Sequence, residues 1–112
     1  MLTIYHNPRC SKSRQTLQLI EQANKTVTIV EYLKTPLTLD QINNLLTLLN
    51  ISPIAMMRTK EEEFKALSLK QASDTQLIAA MAAHPILIER PIVTAENKAV
   101  IGRPPENVLT LF

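Results

Sequence analysis

The sequence predicts an α/β fold, a mixed four-stranded sheet with a helical insertion between the second and third strands. Three observations predict it. Two short runs rich in β-branched residues, 2–5 and 26–30, flank a stretch of helical period. Two Ser/Thr-x-x-Gln patterns, Thr38 with Gln41 and Ser73 with Gln76, each open an apolar stripe at helical spacing. Two further extended runs, 91–94 and 98–101, are separated only by a short turn, the pattern of a hairpin.

Each element has its own local cause. The first strand is ended by the turn-forming pair Asn7-Pro8. Over residues 11–23, Leu17, Ile20 and Ala23 recur on one helical face, and Asn24 is placed to end that helix in the left-handed region. The chain has a single glycine, so asparagines are expected to take the positive-φ positions; Asn24, Asn50 and Asn97 fit. Strand, helix and strand in such close succession form a parallel βαβ unit. In the middle, Thr38 and Gln41 lead into Ile42, Leu45, Leu46 and Leu49, closed by Asn50. Ser52 then caps a new helix with Pro53 at its first position, and Ser73 with Gln76 precedes Leu77, Ile78 and Met81. The hairpin turns at Glu96 and Asn97, and Pro104-Pro105 opens a last short helix. With the helical middle set aside, this order is that of a thioredoxin-like fold. One domain over residues 1–112 is expected, with the insertion at about 38–84.

Composition excludes several classes of function. At 112 residues the chain is too short for a two-domain or barrel enzyme, yet long enough to bury a core. Twelve basic and ten acidic residues are interspersed, and there is no tryptophan. A clustered basic face with aromatic platforms is therefore missing, and no nucleic acid is expected as partner. No apolar run approaches the roughly 20 residues of a membrane span, and the first residues lack the pattern of a signal peptide. The expected setting is the cytoplasm, with no membrane association. One cysteine and two histidines provide neither an internal disulfide nor a structural zinc site, so no metal is expected.

Cys10 is the residue most suggestive of chemistry. A free cysteine is often a small buried hydrophobe. Here it stands at the first strand-to-helix junction, within the polar segment His6-Asn7-Pro8-Arg9-Cys10-Ser11-Lys12-Ser13-Arg14. Unpaired helix N–H groups and nearby cations stabilise a thiolate at such a position, lowering its pKa from about 8.5. Ser13 occupies the place where a dithiol enzyme keeps its second cysteine. The second thiol must therefore come from outside, from glutathione or a protein dithiol. Only three residues separate Cys10 from Arg14, where a phosphatase loop needs five.

Arg58, Arg90 and Arg103 each interrupt or end an apolar stretch, and a buried guanidinium needs an anion. An oxyanion cradle beside the thiolate is one reading, three unrelated surface charges the other. Pro91 enters the third strand, where a thioredoxin-like fold carries a cis-proline. His84 reads as the C-terminal cap of its helix. His6 is either a thiol-supporting group or an ordinary strand-end residue, and Glu61-Glu62-Glu63 reads as a solvated helix face.

Taken together, these residues resemble the glutaredoxin-coupled arsenate reductase family over essentially the whole chain. The resemblance is carried by His6-Asn7-Pro8-x-Cys10 with Ser13-Arg14, by Glu31-Tyr32-Leu33 followed by Pro36, and by Arg58. It continues through His84-Pro85-Ile86-Leu87-Ile88-x-Arg90-Pro91-Ile92-Val93 and Gly102-Arg103-Pro104. It implies that Cys10 is the nucleophile, that Arg58, Arg90 and Arg103 hold the oxyanion, and that Pro91 is cis. His6 and Asn7 would support the thiolate. It also implies arsenate or a similar oxyanion as substrate, glutathione as co-substrate, glutaredoxin as partner protein, and no bound cofactor. Two features depart from the resistance-operon enzymes: Ser11-Lys12-Ser13 stands where they carry a Gly-Thr type sequence, and the chain stops at Phe112 without their longer tail. Both point to the short chromosomal branch. Two other readings share the scaffold. One is a monothiol, glutathione-dependent thiol-transfer enzyme acting on another substrate. The other is an Spx-like transcription regulator binding RNA polymerase, against which Ser13 counts because it removes the Cys-x-x-Cys switch.

Overall fold

The first strand, β1 (Leu2–Tyr5), alternates buried Leu2 and Ile4 with half-buried Thr3 and Tyr5, the two-residue period of a strand. In the computed structural model, which describes residues 1–112, β1 lies inside a four-stranded sheet of order β2-β1-β3-β4. It runs parallel to β2 (Val27–Val30) and antiparallel to β3 (Ile92–Thr94), which in turn pairs antiparallel with β4 (Ala99–Ile101). Helix α1 (Ser11–Gln22) links β1 to β2. Leu2 and Ile4 meet Ile20 of α1, Val93 of β3 and Val108 in one buried cluster. Val108 belongs to a terminal 3₁₀ helix, Pro105–Leu111, which packs against α1 and β4.

These elements form one of two compact units, Met1–Thr35 with Arg90–Phe112; the other is Pro36–Glu89. The second unit is helical. Helix α2 (Leu39–Leu49) begins with a complete capping box: Gln41 N–H donates to Thr38 Oγ1 at 3.1 Å, and Thr38 N–H donates to Gln41 Oε1 at 2.8 Å. Helix α3 (Glu62–Ala66) is a single short piece. Helix α4 (Asp74–Ala83) opens with the same box between Ser73 and Gln76. The buried stripes Ile42-Leu45-Leu46 and Leu77-Ala80-Met81 belong to α2 and α4, which pack together. An antiparallel bridge between Met57 and Ile88 closes the unit, with Arg58 N–H bonded to the Leu87 carbonyl at 2.7 Å and Glu89 N–H to that of Met56 at 2.8 Å. That bridge carries the unit past the 38–84 expected from the helical pattern.

Three local expectations are corrected. Asn24 (φ 58°) and Asn50 (φ 55°) are left-handed, but Asn97 is not; the third such residue is Ser68 (φ 56°). Ala95 N–H donates to the Lys98 carbonyl at 2.8 Å with only Glu96 and Asn97 between them, and the connection closes without a left-handed residue. Ser52 does not start an α-helix. Pro53–Met56 is one turn of 3₁₀ helix, and the Ser52 side chain makes no capping bond. Glu61 is not simply solvated, because it is ion-paired with Arg58.

Candidate active site

The loop leaving β1 is held tightly before it reaches α1. His6 N–H continues the parallel ladder to the Val30 carbonyl at 2.8 Å. Asn7 Oδ1 then accepts from Arg9 N–H at 3.0 Å, an Asx turn, and the Asn7 carbonyl accepts from Cys10 N–H at 3.0 Å. Arg14 Nη1 reaches back to the Pro8 carbonyl at 3.0 Å. The turn delivers Cys10 to the N-cap of α1 in extended conformation (φ −96°, ψ 123°).

The sulfur thus takes the place where Ser, Thr or Asp usually receives the first amides of a helix. Neither amide forms a conventional capping bond to it, but those of Ser13 and Lys12 point at it as dipoles. Cys10 is 8% exposed. Burial alone pushes the thiol up. The Ser13 amide, a hydrogen bond and charge from Arg90, and the Lys12 amide outweigh it, so the thiol titrates below its ordinary value. No acidic residue occupies the first turn of α1 to neutralise its positive end.

The two arginines beside the thiol arrive through strand register. Ile92 pairs with Ile101, and Gly102 N–H donates to the Pro91 carbonyl at 2.9 Å, so Arg90 and Arg103 emerge together at the open end of the hairpin. Tyr5 also pairs with Ile92, which puts the exit of β1 at that same end of the sheet. Arg103 Nη1 donates to the Arg90 carbonyl at 3.1 Å and stands 3.9 Å from Cys10 Sγ. Arg90 also favours the thiolate, by hydrogen bond and by charge. Arg90 Nε is buried and has no hydrogen-bond partner. A buried donor left so isolated costs about 1–3 kcal/mol, which an anion within its reach would offset. The Arg90–Pro91 peptide bond is cis, and so is Arg103–Pro104.

Arg58 lies in the Pro36–Glu89 unit, half-buried, where it is ion-paired with Glu61 and stands 3.8 Å from Glu89 across the Met57–Ile88 bridge. His6 is 6% exposed. Burial lowers its pKa, Glu31 and Glu21 raise it, and Arg14 lowers it; the net shift is downward, so His6 is neutral at neutral pH. It is therefore not one of the cations around the thiol. Its Nδ1 lies 2.6 Å from Ser13 Oγ.

A model of the ArsC family matches residues 5–111. The chain belongs to the ArsC family. Among its relatives is the uncharacterized Escherichia coli K12 protein YfgD, 48% identical over 96% of this chain and 93% of its own. A Haemophilus influenzae protein named arsenate reductase is 44% identical over 97% of each chain. The solved structure of an arsenate reductase from Vibrio cholerae superposes with a TM-score of 0.95 and 47% identity, covering 99% of this chain and 97% of that one.

Two features of this ArsC chain show their role only in the folded structure. Gly102, its only glycine, has an ordinary φ and is required by proximity. A Cβ there would lie 2.5 Å from Thr16 Oγ1 and 2.9 Å from Pro91 Cγ. It lets the end of β4 close against both α1 and the start of β3, and its being unique was the available signal. Ser13, in sequence a helix-opening residue that stands where a dithiol enzyme has its second cysteine, has a contact of its own. It is fully buried and bonded twice.

Proposed function

We propose that this protein is an arsenate reductase in which Cys10 is the nucleophile and glutathione with glutaredoxin supplies the electrons. The observation that carries the reading is the thiol at an unneutralised helix N-terminus, beside Arg103 and beside Arg90 with its buried, unpartnered Nε–H. A thiolate repels an approaching oxyanion. Guanidinium groups offset that repulsion and stabilise the charge on the oxygens in the transition state. The relatives named arsenate reductase, similar over nearly the whole chain, support arsenate as the substrate.

In this mechanism the Cys10 thiolate attacks arsenic and an arsenate oxygen leaves as water, giving a thiol–arsenate adduct in which arsenic is still arsenic(V). Glutathione adds as a second thiol, and a second oxygen leaves as water. The glutaredoxin thiolate then attacks the glutathione sulfur. A disulfide forms between them, and the electron pair of the sulfur–arsenic bond reduces arsenic to arsenic(III). Water releases arsenite from Cys10, regenerating the thiol. No resolving cysteine is needed in this chain, which has one cysteine only. Arg58 enters on the resemblance alone, as a third cation for the oxyanion.

The test is NADPH oxidation coupled through glutathione reductase, with arsenate, glutathione and glutaredoxin present. Wild type is expected to turn over and Cys10→Ser to be inactive. Turnover surviving in Cys10→Ser removes Cys10 as nucleophile. No turnover in wild type, with Cys10 still reactive towards alkylating agents, discards arsenate and keeps the thiol chemistry.

A further inference from the structure

Two groups converge on one buried oxygen near the nucleophile in the chain. Ser13 has no exposed surface, and its Oγ lies 2.6 Å from His6 Nδ1 and 3.1 Å from the Asn7 backbone N–H that donates to it. His6 and Asn7 leave β1, whereas Ser13 is in the first turn of α1, three residues beyond Cys10. The hydroxyl is therefore a direct bond between the strand's exit and the helix's first turn, with Cys10 on the chain between them.

Its hydrogen-bond pattern is determined by what it touches. With His6 neutral and its proton on Nε2, Nδ1 accepts the Ser13 O–H, and a lone pair on Oγ receives the Asn7 N–H. All three buried groups are then satisfied. The other tautomer would have Nδ1–H donate to Oγ, and the hydroxyl proton would then need an acceptor other than His6.

We propose that Ser13 is a positioning residue for the Cys10 nucleophile: by tying His6 and Asn7 to the first turn of α1, its hydroxyl holds the Ser13 and Lys12 amides on the sulfur. His6 acts through this bond and not as a charge. The inference deepens the reading of Cys10 as the reactive thiol and rests on it. It gives the position that lacks a second cysteine a task of its own, which an apolar residue of the same size cannot perform.

The experiment is the pH dependence of Cys10 alkylation by iodoacetamide, measured on Ser13→Ala, Ser13→Thr and, as a control, Leu2→Ala, with thermal unfolding of each. Leu2 is a buried residue at the far end of β1, so its truncation lowers stability without touching the loop. The charged groups around the thiol are unchanged in all three: Lys12 and Arg14 from α1, Arg90 ahead of β3, Arg103 after β4, and Glu31 and Glu21 acting on His6. In Ser13→Ala the midpoint is expected to move up toward the ordinary value of about 8.5. The rate at fixed lower pH then falls about tenfold for each unit moved. Ser13→Thr, which keeps the hydroxyl, is expected to return the midpoint towards wild type, and Leu2→Ala to leave it in place. An unchanged midpoint in Ser13→Ala overturns the proposal, as does an equal rise in Leu2→Ala. A wild-type midpoint already at the ordinary value defeats instead the reading of Cys10 as an activated thiol.

Discussion

At the residue scale, the reactivity of Cys10 is set by a contest between burial and dipoles. Burial opposes the thiolate; the Ser13 and Lys12 amides and Arg90 favour it and prevail. The thiol therefore titrates lower in the folded chain than in the unfolded one. Between those two values the unfolded state holds a proton that the native state has lost, so stability rises with pH through that window. The contribution is fully present above the unfolded value and is lost as pH falls through the folded value. Urea unfolding across pH is expected to show this rise in wild type and not in Cys10→Ser. His6 has the same sign by a different route. Burial disfavours its charged form, so stability falls as pH drops below about 6.5, and His6→Gln is expected to remove that acid-side loss.

The two arginines at the thiol are predicted to separate in the same kind of measurement. Arg90 lowers the thiol's pKa by hydrogen bond and by charge, whereas Arg103, 3.9 Å from the sulfur, is not among the causes of the shift. Arg90→Leu should raise the alkylation midpoint more than Arg103→Leu does. In the arsenate assay, Arg90→Leu is expected to cost about 10²–10³ in kcat, the usual effect of removing one oxyanion donor. Equal midpoints in the two variants would refute the assignment of Arg90 as the stronger influence on the thiol.

At the scale of elements, local chemistry was largely legible. The capping boxes at Thr38 and Ser73 form with both of their reciprocal bonds, because N-cap and N3 residues interact within one turn and need nothing from elsewhere. Thr38→Ala and Ser73→Ala are each expected to cost about 1 kcal/mol of stability, measurable by denaturant titration. The strands were equally readable, since β-branched runs bounded by turn residues have few alternatives. Asn97 and Ser52 were misread for one reason. The dihedrals of a turn depend on how the two strands it joins approach each other, and a helix start depends on whether the chain continues in the same direction. Neither is a property of the residue alone.

At the scale of the whole molecule, the single glycine tests how closely the elements must approach. Gly102→Ala places a methyl group against Thr16 Oγ1 and Pro91 Cγ, both buried, and Thr16 is further held by its bond to the Lys12 carbonyl at 2.8 Å. Relief requires α1 or the start of β3 to shift. The expected cost is about 1–3 kcal/mol, read as a lowered Tm with the β content unchanged by circular dichroism. Replacement without a change in Tm would mean that the hairpin end is looser than its contacts indicate.

What the sequence determined by itself was the order of the strands, the capped starts of α2 and α4 and the identity of the one thiol. These follow from spacing over a few residues: apolar period, capping pairs, turn formers and the polar segment around Cys10. Only the tertiary structure decided what stands beside that thiol. Residues 10, 90 and 103 converge because antiparallel register brings the start of β3 and the end of β4 to the exit of β1. Ser13 becomes a bridge because α1 returns its first turn over that exit. Register is set by the buried face as a whole, through Leu2, Ile4 and Val93 against Ile20 and Val108. No spacing along the chain records it.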